Sequence, residues 1–261
     1  MNQADFINKK LIAFDLDETL AESKAEMTAE MANLLAKLTQ VKKVAIISGG
    51  SFGQFERQFF GSLSRAANIN YDSLVILPTS GAVFYEYKNG EWQIVYSEDL
   101  TEEEKAKTML AFEKGLADIN YKRPKEVFGQ VIEDRGTQIT FSALGQKAPV
   151  GLKQAWDPDR SKRTQIKEAI EKYIPELEVR TGGSTSVDVT KKGIDKAFGM
   201  KKILEHFNLE KEDILFIGDA MKPGGNDYPV KAFGIDSIEV SGPTETADII
   251  NNLLKKAPNS R

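Results

Sequence analysis

The sequence predicts a two-domain α/β protein. Its core is a doubly wound, Rossmann-like parallel sheet, and inserted into it is an α+β domain with an antiparallel sheet. Three observations carry this. Both ends of the chain alternate short, wholly apolar runs with amphipathic stretches, the pattern of strands covered by helices on both faces. The middle instead alternates apolar and polar residues around a hairpin turn. The length, 261 residues, lies between one and two domains at ~150 residues each.

The elements follow in order. LIAFDL (11–16) reads as a buried strand. AEMTAEMANLLAKL (25–38) sets Met27, Met31, Leu34, Leu35 and Leu38 at helical spacing. VAIIS (44–48) is a second buried strand, ending at Gly49-Gly50; a helix over 52–63 and a strand over 74–77 come next. AVFYEYKNGEWQIVY then alternates around Asn89-Gly90, a type I′ hairpin signal. The helix 101–119 opens with TEEE, where Thr101 caps and Glu104 completes a capping box. Strands over 126–133 and 137–144, a charged helix over 161–173 and a short strand over 178–180 fill out the insert. These place the inserted domain at 82–185 and the core at 1–81 with 186–261. The first pattern returns with a helix over 195–207, the strand ILFIGD (214–219), the loop KPGGND, a strand over 237–240 and a helix over 244–255. The tail APNSR is expected to fray.

Composition excludes several chemistries. There is no cysteine, hence no disulfide, thiolate zinc site, iron–sulfur cluster or cysteine nucleophile. The one histidine, His206, would have to carry any histidine-based triad alone. Lys+Arg number 35 against 39 Asp+Glu, a net charge of −4 that argues against nucleic-acid or anionic-membrane partners. No apolar run nears the ~18 residues of a membrane span, and MNQADFINKK lacks the apolar stretch of a secretion signal. A cytoplasmic location is the expectation.

The sharpest motif is FDLDET. Asp15 and Asp17 stand at the C-terminal end of a buried strand, the edge at which open α/β sheets bind ligands. Adjacent carboxylates repel unless a cation is present, and oxygen-only ligation suits magnesium. A carboxylate there can attack phosphorus, and a second acid can serve the leaving oxygen. Ser48 and the Gly49 and Gly50 amides end the next strand at the same edge, placed to grip phosphate oxygens. Lys196 opens a helix, and a lysine at the site edge would offset phosphate charge. GDAMKPGGND adds Asp219 at a third strand end, with Asn226 and Asp227 beyond. Taken singly, each has a plain reading as a strand-end turn, a solvated lysine or an acidic loop.

Taken together, in the order acid pair, serine, lysine, acid, the chain resembles the haloacid dehalogenase-like superfamily. The likeness narrows to its eukaryotic-type phosphomannomutase branch through GDAMKPGGND, GIDKAFGM, ISGGSF, VIEDRGTQITFSALG and GGSTSVDV. The resemblance implies that Asp15 is the nucleophile and a magnesium ligand. It makes Asp17 the general acid/base, with its backbone carbonyl on the metal. Asp219 would be the third protein ligand, supported by Asn226 and Asp227. Thr19, Ser48 and Lys196 would hold the transferring phosphoryl group, with Ser51 a rival to Ser48. In the insert, or cap, Arg135 would grip the substrate's distal phosphate, and Ser186 and Asp188 would contact sugar hydroxyls. The same resemblance implies a sugar-phosphate substrate, a hexose 1,6-bisphosphate activator for a mutase and a homodimer through the cap. A phosphatase using the same intermediate is the alternative.

The departures are specific. Glu18 stands where the family has glycine. Gln146 and Lys153 stand where it has two further phosphate-binding arginines; Lys153 keeps the charge without the planar fork. Arg160, Lys162 and Arg163 are the candidates to compensate.

Overall fold

The structure, a computed structural model, describes residues 8–256. The reading of the first residues as leaderless and the fraying of APNSR fall largely or wholly outside them. The chain divides into two units, Met1–Ser97 with Ile194–Arg261, and Glu98–Gly193.

The first unit opens with β1 (Leu11–Phe14), α1 (Ala29–Thr39) and β2 (Lys43–Ile47). A broken helix follows: α2 (Phe52–Phe55), a π turn (Glu56–Phe60) and α3 (Gly61–Leu63). Next come β3 (Leu74–Leu77) and the hairpin of β4 (Val83–Lys88) and β5 (Glu91–Ser97). The second unit holds α4 (Glu102–Asp118), β6 (Ile132–Asp134), β7 (Gln138–Ser142), α5 (Val150–Trp156), α6 (Ser161–Glu171), β8 (Leu177–Thr181) and β9 (Ser186–Lys191). The chain then returns to the first unit with α7 (Lys196–Phe207), β10 (Ile214–Gly218), α8 (Tyr228–Phe233), β11 (Asp236–Glu239) and α9 (Pro243–Lys256).

The core sheet has seven strands in the order β11-β10-β1-β2-β3-β4-β5. It is parallel from β11 to β3, and the hairpin adds two antiparallel strands. Successive side chains of a strand point to opposite faces, so an all-apolar strand needs cover on both. Ile12, Phe14, Val44, Ile46, Leu215 and Ile217 pack with Met31, Leu35 and Leu38 of α1 and Ile250 of α9. Leu11, Ala13, Ala45, Ile47, Ile214 and Phe216 pack on the other side with Met200 and Ile203 of α7 and Val230 of α8.

The inserted unit has a four-stranded antiparallel sheet in the order β6-β7-β9-β8. Ile139, Phe141, Val179, Val187 and Val189 bury one face with Ala111 and Phe112 of α4 and Ile166 and Ile170 of α6. The expected capping box is present: Glu104 N–H donates to Thr101 Oγ1 at 3.2 Å and Thr101 N–H to Glu104 Oε2 at 2.7 Å. The alternate positions form a polar face with Gln138, Thr140 and Ser142 on β7 and Ser186, Asp188 and Thr190 on β9, Thr140 opposite Asp188.

Both expected domain boundaries move. The hairpin around Asn89-Gly90 belongs to the core, because β4 pairs with β3 and buries Phe84 in the core's second apolar face. Strand β9, with Ser186 and Asp188, belongs to the insert, because it pairs with β7 and β8. The strand expected over 126–133 shrinks to β6, its first part running irregularly beside 144–147. Helix α5 was not anticipated. Among the described residues, no helix is long and apolar enough to cross a membrane.

Helix α7 can seat close to the sheet only because two glycines meet. Gly81, at φ +88°, faces Gly199, where a Cβ would lie 3.0 Å from Gly81 Cα and 2.5 Å from Ile47 Cδ1. Gly199→Ala gains up to about 1 kcal/mol of helix propensity but overpacks a filled contact, at about 1–3 kcal/mol. Net destabilisation is expected, read as a lower urea midpoint at unchanged slope.

Candidate active site

Adjacent parallel strands β10, β1 and β2 end side by side, and each delivers a polar residue at its C-terminal end. Asp15 follows β1 and is buried, its N–H bonded to Ile217 O at 3.0 Å. Asp219 follows β10 and Ser48 follows β2. The loop 220–227 folds back to bring in Asp227, whose Oδ2 accepts from Ala220 N–H at 3.0 Å. Two glycines permit that return. A Cβ on Gly218 would lie 2.4 Å from Asp227 Oδ2, and one on Gly225 2.0 Å from Ala220 O.

Lys196, the first residue of α7, is fully buried between two of these acids. Its Nζ lies 2.7 Å from Asp15 Oδ1 and 2.5 Å from Asp227 Oδ1. Asp195 caps the helix by accepting from Phe198 N–H at 3.0 Å, which fixes where Lys196 begins. Burial works against the ammonium, but Asp15 and Asp227 prevail and hold its pKa above the ordinary value. Burial pushes the Asp15 carboxyl up to about 7, aided by Asp227 and opposed by Lys196. Burial and then Asp227 raise Asp219 as well.

Carboxylate oxygens of Asp15, Asp219 and Asp227 lie within 4.8 Å of one another. With all three ionised, three carboxylates against one ammonium would leave two negative charges in a largely buried site. All-oxygen donors and that charge deficit fit a divalent hard cation. Asn226 is exposed in the loop.

The remaining sequence-predicted residues divide clearly. Thr19 is fully buried, and its Oγ1 has no hydrogen-bond partner among the described residues. A hydroxyl left in that state suits a missing acceptor such as a phosphate oxygen. Ser48 is buried and its Oγ accepts from Gly50 N–H at 3.1 Å; Gly49 beside it is exposed. Ser51 lies beyond, half-buried at the start of α2. Asp17 does not join the acid trio. Its carboxylate accepts from Gln54, Gln58 and the Lys24 backbone. Glu18 takes φ +54°, which explains glycine's suitability there, and its Oε1 accepts from Ser23 N–H at 3.1 Å, so its charge stays outside the acid trio. His206 sits at the far end of α7 from Lys196, 2.5 Å from Glu86 Oε1.

In the insert, Arg135 Nε is ion-paired to Glu133. Lys153 Nζ donates to Gln146 O at 2.7 Å, while Gln146 Nε2 is buried without a partner among the described residues. Ser186 and Asp188 share the polar face, and burial raises the Asp188 pKa. Arg163 does not compensate for the missing arginines. Its guanidinium is occupied by Asp157 Oδ2 at 2.7 Å, Gly182 O at 3.0 Å and Gly183 O. Lys162 Nζ is held 2.5 Å from Trp156 O, which leaves Arg160 exposed.

This arrangement defines a class. The sequence profile of haloacid dehalogenase-like hydrolases matches residues 12–229. The chain belongs to that family and is an enzyme, one of its phosphotransferases. Within the family it falls in the phosphomannomutase-like branch. It is 30% identical over 228 residues to a phosphomannomutase of Spinacia oleracea, covering 84% of this chain and 85% of that one. It is 26% identical over 258 residues to a phosphomannomutase of Encephalitozoon cuniculi, covering 95% and 94%. An IMP-bound, N-terminally truncated IMP-nucleotidase of Plasmodium falciparum shares the fold, with a TM-score of 0.67 at 16% identity over 97% of this chain and 71% of that one.

The cluster's charge balance separates two substitutions. Asp15→Asn keeps the Lys196–Asp227 pair and relieves acid–acid repulsion, so stability should stay within about 1 kcal/mol. Lys196→Met strands buried carboxylates and should cost about 3–5 kcal/mol. Urea unfolding of both variants checks this; equal losses would mean the ammonium does not hold the cluster.

Proposed function

We propose that this protein is a magnesium-dependent phosphomannomutase, interconverting mannose 1-phosphate and mannose 6-phosphate through an aspartyl phosphate on Asp15. The supporting observation is the buried Asp15 carboxylate, held by Lys196 among two further acids at the sheet's ligand edge. Asp15, Asp219 and Asp227 would hold magnesium, with Asn226 in support and the Asp17 backbone carbonyl as a further donor. When bound, magnesium supplies positive charge that permits the carboxylates to ionise together and offsets the charge of a phosphoryl group.

Asp15 attacks phosphorus and Asp17 gives its proton to the departing sugar oxygen. The sugar hydroxyl that next attacks gives its proton back to Asp17 as the phosphoryl group leaves Asp15. Thr19 Oγ1, Ser48 Oγ, the Gly49 amide and Lys196 steady the phosphoryl oxygens. Arg135 and Lys153 bind the distal phosphate, and Ser186 and Asp188 meet sugar hydroxyls. A hexose 1,6-bisphosphate would prime the enzyme. A homodimer through the cap and a cytoplasmic setting complete the reading.

Sugar-phosphate hydrolysis is the second reading, favoured by the distal site. Arg135 is already ion-paired with Glu133, and Gln146 contributes no charge. A mutase must hold its bisphosphate while the sugar reorients, whereas a hydrolase need not.

With magnesium and a hexose 1,6-bisphosphate, mannose 1-phosphate should yield mannose 6-phosphate, and chelator should stop it. Asp219→Ala should raise the magnesium requirement. Free phosphate as the main product would select the hydrolase. In that case Gln146→Arg should raise the ratio of isomerised sugar to free phosphate, each ~1.4 kcal/mol of added binding slowing loss of the bisphosphate about tenfold.

Arg135→Ala should cut kcat/KM for hexose phosphates about tenfold to a hundredfold, the worth of a charged bidentate contact. A small phosphate monoester without a second anionic group should lose far less. Equal losses on both would make Arg135 a partner of Glu133 alone.

A further inference from the structure

Asp17 is gripped by two side chains to which the reaction above gives no part. Gln54 Nε2 donates to Oδ2 at 2.7 Å, and Gln58 Nε2 donates to Oδ1 at 2.9 Å. The Lys24 backbone N–H also donates to Oδ1, at 2.8 Å. A carboxylate offers about four lone-pair sites. Oδ1 is therefore filled by two donors, while Oδ2 holds one and keeps one site open.

The local fold is built around this grip. Gly50 clears the space for Gln54, since a Cβ there would lie 2.2 Å from Gln54 Oε1. Gln58 lies inside the π turn between α2 and α3 and is 2% exposed. Its amide also donates to Ala25 O at 3.0 Å, and its backbone carbonyl accepts from Met27 N–H at 2.8 Å. One buried glutamine thus ties the acid, the loop after the DLDET turn and the helix together. Single π turns within helices are frequent at functional sites.

We propose that Gln54 and Gln58 are positioning residues for Asp17, aiming Oδ2 at the oxygen that gains or loses a proton in each half-reaction. The inference rests on the aspartyl-phosphate reading. In the first half, an Asp15 oxygen bonds to phosphorus, the bond from phosphorus to the ester oxygen breaks, and the Asp17 proton passes to that oxygen. In the second half, the attacking hydroxyl returns a proton to Asp17 as the bond between Asp15 and phosphorus breaks. Both halves need one carboxylate on one line, and two amides from one helical segment fix its plane without adding charge.

The test is the rate of Asp15 phosphorylation in the full-length enzyme with magnesium, from two donors. A hexose 1,6-bisphosphate expels an alkoxide that needs a proton; 4-nitrophenyl phosphate expels a stabilised phenolate that does not. Gln54→Met and Gln58→Met are near-isosteric and remove the amide donors. Each should slow the sugar donor about tenfold to a hundredfold, in line with misplacement of a general acid. The aryl donor should slow far less. In an Asp17→Asn background, adding Gln54→Met should change the ratio of the two rates no further, because the group it positions is gone. Equal slowing of both donors, an unchanged ratio in the single variants, or a further tenfold drop in the Asp17→Asn background would each overturn the assignment. If Gln58→Met lowers the urea midpoint so far that it unfolds, the half-buried Gln54 decides alone. A wild-type enzyme phosphorylated by neither donor overturns the aspartyl-phosphate reading, and this inference with it.

Discussion

The structure of the site depends on one buried ammonium. Lys196 sits at zero exposure within 2.7 Å of Asp15 and 2.5 Å of Asp227. Without it, carboxylates packed this close in a dry environment would hold protons, because burying like charges costs several kcal/mol each. The requirement propagates outward. Nζ reaches both acids only if α7 begins at Lys196, which the Asp195 cap enforces. The helix comes this close to the sheet because Gly81 and Gly199 leave room for it. Asp227 reaches the lysine only because Gly218 and Gly225 let the loop turn back. Residues far apart in the first unit thus converge on one charge.

Much of this was legible in the sequence because it is local. An apolar run of four or five residues ending in aspartate or serine places a polar group at a strand end with no tertiary information. Asp15, Ser48 and Asp219 stand there. The domain limits were less legible, because alternation marks antiparallel strands without naming the sheet that pairs with them. The β4–β5 hairpin and β9 carry the same pattern yet join different sheets, a choice made by Phe84 packing in one core and Val187 and Val189 in the other. Gln54 and Gln58 were invisible for a different reason. Gln58 meets Asp17 from within a π turn, and no spacing rule reports one.

The insert shows why counting charges misleads. Arg160, Lys162 and Arg163 lie close in sequence and suggest a basic grip. Arg163 instead spends its donors on Asp157 and the carbonyls of Gly182 and Gly183, holding the turn that leads into β9. A guanidinium has five donors in a rigid fork, and a buried one must satisfy most of them locally. A basic residue that is buried is therefore a worse candidate for substrate phosphate than an exposed one such as Arg160. Arg135 lies between these cases: it is half-buried just past β6, and its bond to Glu133, two residues back, uses Nε.

The two acids of DLDET end in opposite environments though one residue separates them. Asp15 is buried, which raises its pKa, and it is answered by the full positive charge of Lys196, which opposes that rise. Asp17 is half-buried and answered only by neutral N–H dipoles. A full charge stabilises an anion strongly but constrains its direction weakly, whereas amide donors do the reverse. In the proposed reaction the nucleophile needs charge control and the acid/base needs aim. The turn between them meets both needs by sending one side chain into the sheet edge and the other toward α2, at the cost of a left-handed Glu18.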